Sequence, residues 1–161
     1  MAGARFASQF RTYLIMAEHS LWRLSRALQC AVNDRHFEDL ADLLDEDVDW
    51  AIYGPIDMFP FLGARQGKAA VVEAVRQLAH SLRIRRFERE TVMLDRDGAA
   101  SMVRCLLTAR DSEKPITTRF AHFAQFRAGK LIRLRVLVDT FDLVEQTLGR
   151  PIHLPRIGSF A

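Results

Sequence analysis

Two side chains in this sequence are suited to moving a proton. His122 sits in FAHFAQF at residues 120–126, and Asp139 sits in VDT at residues 138–140. Histidine has the near-neutral intrinsic pKa that proton transfer at physiological pH favours. In strand parity, though, His122 falls in line with Phe120, Ala124 and Phe126, and a histidine in an apolar stripe is more often a satisfied core residue than a catalyst. Asp139 ends the apolar run at 131–138 and precedes a helical pattern at 140–148. It has two readings. Aspartate is a preferred N-cap, and Asp142 three residues on mimics a capping box. Walled in by apolar groups, the same carboxyl would have its pKa raised towards neutrality, as a general acid or base requires. A cap bond favours the charged form, so the two roles are compatible only in part.

Four groups of residues could hold a ligand near them. Trp50 and Tyr53, on a strand at 48–53, have opposite parity, so one alone faces a pocket unless a bulge intervenes. Met58, Phe59 and Phe61 belong to PIDMFPFLGARQG at 55–67, a loop too apolar to be idle in solvent and read as a rim, either a lid or a dimer contact. Arg135 shares parity with Asp139 and pairs either with an acidic ligand or with surface acids. Register supplies the fourth group. If Ala128-Gly129 is a two-residue turn, opposed positions on strands 115–127 and 130–138 sum to 257. Thr118 then faces Asp139, and His122 faces Arg135. Thr118, Phe120, His122, Arg135, Leu137 and Asp139 would share one face, with His122 and Asp139 reaching one ligand rather than each other.

The elements that must position these groups follow from periodicity. Leu14, Ala17, Leu21, Leu24, Leu28 and Ala31 make one helical stripe over 12–32. NDRH at 33–36 breaks it, and Phe37, Leu40 and Leu44 mark a short second helix. A third spans 68–82 with Val71, Val75, Leu78 and Leu82 on one side. After it the period changes, giving strands at 83–94, 99–110, 115–127 and 130–138 joined by DRDG, DSEK and Ala128-Gly129, all hairpin compositions. Helices first and an antiparallel meander after them predict an α+β domain over 12–149 with a strongly curved sheet. Residues 1–11 are expected to be a flexible arm. Residues 150–161, with two prolines, form an extended tail whose Ile152, Leu154, Ile157 and Phe160 would dock on a surface.

Composition removes other classes. At 49% hydrophobic and 27% charged the chain reads as an ordinary globular protein. No apolar run approaches the ~18–20 residues of a membrane span, and YLIMA at 13–17 is too short for a signal peptide, so a cytoplasmic location is expected. Net charge is +3, but no nucleic-acid motif accompanies the basic RIRRFER at 83–89. Arg83, Arg85 and Arg89 are read there as one solvated face, with Arg86 on the other. Cys30 and Cys105 stand alone as reduced small hydrophobes, and the scattered histidines argue against a metal. No cofactor is expected.

The order of elements, with FEDLADLLDEDVDW, FPFLGARQGKAAVVEAV, TRFAHFAQFRAGKLIRLRVLVDT and DLVEQTLG, resembles the SnoaL-like branch of the NTF2-like superfamily over about residues 20–149. The resemblance implies a cone, its sheet curled around the helices with a mostly apolar pocket at the open end, and a homodimer. It implies that His122 matches a histidine common in this branch, and that Asp139 matches a pocket acid that serves several relatives as acid or base. Phe120 stands where many members have tryptophan, and Leu137 where many have tyrosine, which removes a hydroxyl. No second carboxylate is placed opposite Asp139, so water activation by paired acids is not supported. For the dimer, neither Val103, Cys105 and Leu107 nor Met102, Arg104, Leu106 and Thr108 form a polar face. Two functions remain: cofactor-free proton transfer or water addition (isomerase, cyclase, lyase or hydrolase chemistry) on a hydrophobic cyclic carbonyl compound, or a non-catalytic ligand-binding or dimerisation module on the same fold.

Overall fold

The computed structural model describes the backbone of residues 2–153 and the side chains of 18–153. Its order is α1 (Ala2–Asp34), α2 (Glu38–Leu43), β1 (Leu44–Tyr53), β2 (Gly63–Gln66), α3 (Lys68–Ser81), β3 (Leu82–Leu94), β4 (Gly98–Ala109), β5 (Pro115–Arg127), β6 (Lys130–Val138) and α4 (Thr140–Leu148). The strands form one sheet in the order β2-β1-β6-β5-β4-β3, antiparallel except for the β1–β6 pair. This is the α+β fold expected, with the N-terminal helices packed on the concave face of a curved, unclosed sheet. Helix α1 begins well before residue 12, and the tail beyond residue 153 lies outside the described residues. Among the described residues no helix is long and apolar enough to cross a membrane.

From Leu21 to Ala31 the helical stripe read from the sequence is the packed one; Leu14 and Ala17 lie outside the described side chains. Leu21, Leu24, Ala31 and Val32 of α1 and Val71, Val72 and Val75 of α3 meet Trp50, Ala124, Phe126, Leu131, Leu134 and Val136 of the sheet in the main core. The break at 33–36 is built rather than frayed. Asn33 exchanges two 2.8 Å bonds with the backbone of Ile84, as a neighbouring strand would. Arg110 donates to the carbonyls of Val32 and Asn33, which have lost their helical partners at the end of α1.

Register departs from expectation at one residue. The β5–β6 turn is two residues long, with φ of 51° at Ala128 and 76° at Gly129, the positive values a tight hairpin needs. Arg127 faces Lys130 and Phe126 faces Leu131 as predicted, but Gln125 then faces Arg133, leaving Ile132 as a bulge. Beyond it His122 faces Val136, not Arg135, and Phe120 faces Val138. The cause is legible in LIRLRVLV. An unbroken ladder would turn Arg133 and Arg135 into the core; the bulge instead lets Leu131, Leu134 and Val136 all be buried. β3 does the same at Arg85, which lies between Ile84 and Arg86 in the sequence but outside the pairing.

Candidate functional site

Between α1, the 54–62 loop, α4 and the concave sheet face lies a cavity of about 160 Å³. Leu21, Leu24, Ser25 and Leu28 of α1 form one wall. The sheet supplies Trp50, Ile52, Phe87, Cys105, Thr118, Phe120, His122, Leu134, Val136 and Val138, while Phe59, Phe61 and Leu62 close the loop side. The lining is almost wholly apolar. Its titratable groups are His122 and Cys105, and no carboxylate is among the lining residues. The segments outside the described side chains contain neither Asp nor Glu.

Three polar groups in the wall have partners. Ser25 donates to the carbonyl of Leu21 at 2.9 Å, and Thr118 makes a long 3.4 Å contact with the carbonyl of Arg119. His122 Nε2 lies 3.0 Å from Ser101 Oγ on the adjacent strand, which fixes the ring against Phe120. Burial, aided by the positive charge of Arg89, pushes the His122 pKa down to about 4, so the imidazole is neutral at pH 7. Burial also pushes the Cys105 thiol up to about 12, which removes it as a nucleophile. The Trp50 indole N–H is different: it is buried with no hydrogen-bond partner among the described residues.

His122, Trp50, Phe59, Phe61, Thr118 and Phe120 therefore surround one cavity, while five expected neighbours do not. The Ile132 bulge puts Arg135, Leu137 and Asp139 out of phase with His122. Arg135 lies on the convex face and binds Asp49, Nη2 to Oδ2 at 2.5 Å; this bond holds the Asp49 carboxyl below its usual pKa. Leu137 and Tyr53 are exposed partners on that same face, and Met58 is an exposed loop residue. Asp139 is an exposed N-cap: its Oδ1 accepts from the Asp142 N–H at 3.2 Å at the start of α4. Asp139→Ala is expected to cost about 1 kcal/mol in urea unfolding, with Asp139→Asn nearly silent. Neither change should alter ligand binding in the cavity. Weakened binding by the well-folded Asn variant would return Asp139 to the site.

Sequence reasoning missed Arg89. The bulge at Arg85 brings Phe87 and Arg89 onto the concave face, not the solvated one, and Arg89 pairs across to the buried Val103. The signal was the three-residue spacing of Ile84 and Phe87, which an unbroken strand cannot place on one face. Among the described residues no set of three His, Cys, Asp or Glu side chains could hold a metal.

The SnoaL-like domain model matches residues 24–134. No curated protein matches the chain. A solved structure named as a proposed isomerase, from Rhodopseudomonas palustris, is 64% identical, superposes with a TM-score of 0.81, and covers 82% of this chain and 98% of its own. A proposed isomerase from Bacillus subtilis has a TM-score of 0.70 at 17% identity, covering 88% and 99%. An NTF2-like protein from Burkholderia xenovorans has 0.62 at 14%, covering 80% and 96%. At those two identities the likeness speaks for the fold alone. With the model spanning most of the domain and the expected architecture in place, the chain belongs to the SnoaL-like domain family.

Proposed function

We propose that the chain binds a small, mainly apolar molecule of one ring, carrying a hydrogen-bond acceptor, inside the concave cavity. The observation that carries this is the cavity's size and lining taken together. A dry apolar cavity of about 150 Å³ accepts a benzene ring, and this one is about 160 Å³, with Trp50 in its wall carrying a buried N–H that has no partner among the described residues. A carbonyl oxygen would satisfy that donor and remove the cost of burying it alone. Acid–base chemistry is the second reading, favoured by the isomerase name of the 64%-identical protein. In it His122 is the base, since Asp139 is occupied at α4 and no carboxylate is among the described lining residues. A histidine with a pKa of about 4 is a weak base at pH 7, so binding ranks above turnover.

Thermal shift and calorimetry with 2-cyclohexen-1-one and with a four-ring ketone test the reading. The single ring is expected to bind and raise the melting temperature, and the larger one to do neither. Trp50→Phe should weaken the ketone by about tenfold or less, the worth of one hydrogen bond. Tight binding of the four-ring ketone, or of neither compound, would reject it. Deuterium entering the ketone from D2O with wild type but not with His122→Gln would add catalysis to binding.

We also propose a homodimer through the convex sheet face. Met102, Ala121, Leu137 and Tyr53 lie in one cross-strand row over four adjacent strands. Tyr53 and Leu137 are each about half exposed, as is Phe123 nearby. A contiguous apolar row of this kind is what an interface covers. Light scattering should give twice 18.4 kDa at micromolar concentration, and Leu137→Lys should halve it. A wild-type mass of 18.4 kDa alone would contradict the dimer.

A further inference from the structure

Arg89 is a half-buried cation with no acid paired to it among the described residues. Its guanidinium carbon stands 3.9 Å from the centre of the Trp22 ring and 5.6 Å from that of Phe87. Nη2 donates to Ser25 Oγ and, at 3.5 Å, to the Leu21 carbonyl. Nε is buried and has no partner among the described residues. None of the ion pairs among the described residues includes Arg89, and the remaining segments carry no acidic side chain. Other arginines of the sheet fare differently: Arg85, Arg104, Arg119 and Arg135 each hold a carboxylate. Burying a guanidinium without a counter-charge is costly, and desolvation lowers its pKa here.

Its position says what the counter-charge would be attached to. Leu21, Ser25 and Phe87, three of the residues Arg89 touches, are part of the cavity wall, so the guanidinium stands directly behind it; Trp22, on its other contact, is not among the lining residues. A planar guanidinium whose Nε–H has no partner among the described residues suits a carboxylate, which such a group can grip through two oxygens. We propose that the ligand is a small ring carboxylate, its ring in the cavity and its carboxylate on Arg89. This rests on the cavity being the ligand site, and it gives that ligand an anion at the β3 side, separate from the acceptor that Trp50 on β1 would meet. The anion completes the pair that the fold leaves open, and the Trp22 ring holds the guanidinium in place for it.

Calorimetry at pH 7 with benzoate and with benzamide, equal in shape and different in charge, tests it. Wild type is expected to bind benzoate about tenfold or more tighter than benzamide. Arg89→Met, which keeps the stem and loses the charge, should abolish that preference, with benzoate losing far more affinity than benzamide. Arg89→Lys should retain part of it. Benzamide binding as well as benzoate to wild type overturns the inference and leaves the cavity reading standing, and this comparison needs no variant to fold. A benzoate preference that survives in Arg89→Met also overturns it. Binding of neither ring rejects the cavity reading and the inference together.

Discussion

Acidification from pH 7 to pH 4 is expected to cost the fold about 3 kcal/mol through His122 alone. The folded-state pKa is about 4 against an ordinary value of 6.5. The unfolded chain therefore takes up the proton first. The contribution is fully present above pH 6.5, fades as pH falls through the interval, and is exhausted below about pH 4. At about 1.4 kcal/mol per pKa unit the whole gap is worth about 3.5 kcal/mol, of which about 3 kcal/mol is lost by pH 4, where the folded-state group is half protonated. Asp45 and Asp49 also have lowered pKa values, but their contributions are present above the ordinary carboxylate value of 3.8 and vanish below it, outside this window. Urea unfolding at pH 7, 5.5 and 4.5 separates the cases. Wild type should lose stability steadily, and His122→Gln should be much flatter. An equal slope in both would place the pH dependence elsewhere.

Trp50→Ala is expected to remove about 3–5 kcal/mol, whereas Trp50→Phe should cost about 1.5 kcal/mol or less. The side chain is 2% exposed and sits in both the main core and the cavity wall, so truncation enlarges a void that cannot collapse. Phenylalanine keeps most of the ring and deletes a donor that has no partner among the described residues, which offsets part of the lost packing. Unfolding midpoints of the two variants check the contrast. Losses of the same size would mean that the indole N–H is satisfied in solution.

Elements were legible in the sequence wherever period alone defined them. The described part of the α1 stripe, the hairpin turn at Ala128-Gly129 and the cap of α4 at Asp139 are where composition put them. β2 escaped notice because four residues after a proline-rich loop carry no alternation of their own; β1 recruits them through Ile52 and Gly63. The apolar content of that loop was a sound guide to its role: Phe61 and Leu62 are buried and cover one end of the cavity. The site was half legible. Residues of β5 keep one phase throughout, so parity groups them correctly. Those of β6 and β3 change phase at Ile132 and Arg85, so parity puts Arg135, Leu137 and Asp139 with His122 and sends Arg89 to solvent. The odd spacings Leu131 to Leu134 and Ile84 to Phe87 were the available clue.

The bulge at Ile132 also sets where β6 tolerates a change of length. Ile132 lies outside the ladder, so its loss would leave Leu131 and Arg133 consecutive, opposite Phe126 and Gln125, which are consecutive already. Every side chain from Leu134 to Val138 would keep its face. The same one-residue gap at Leu134 would turn Arg135 inward and Val136 outward, exchanging a convex ion pair for a buried unpaired charge. A single-residue deletion is thus silent for facing at one point of β6, and two residues further along it inverts the rest of the strand.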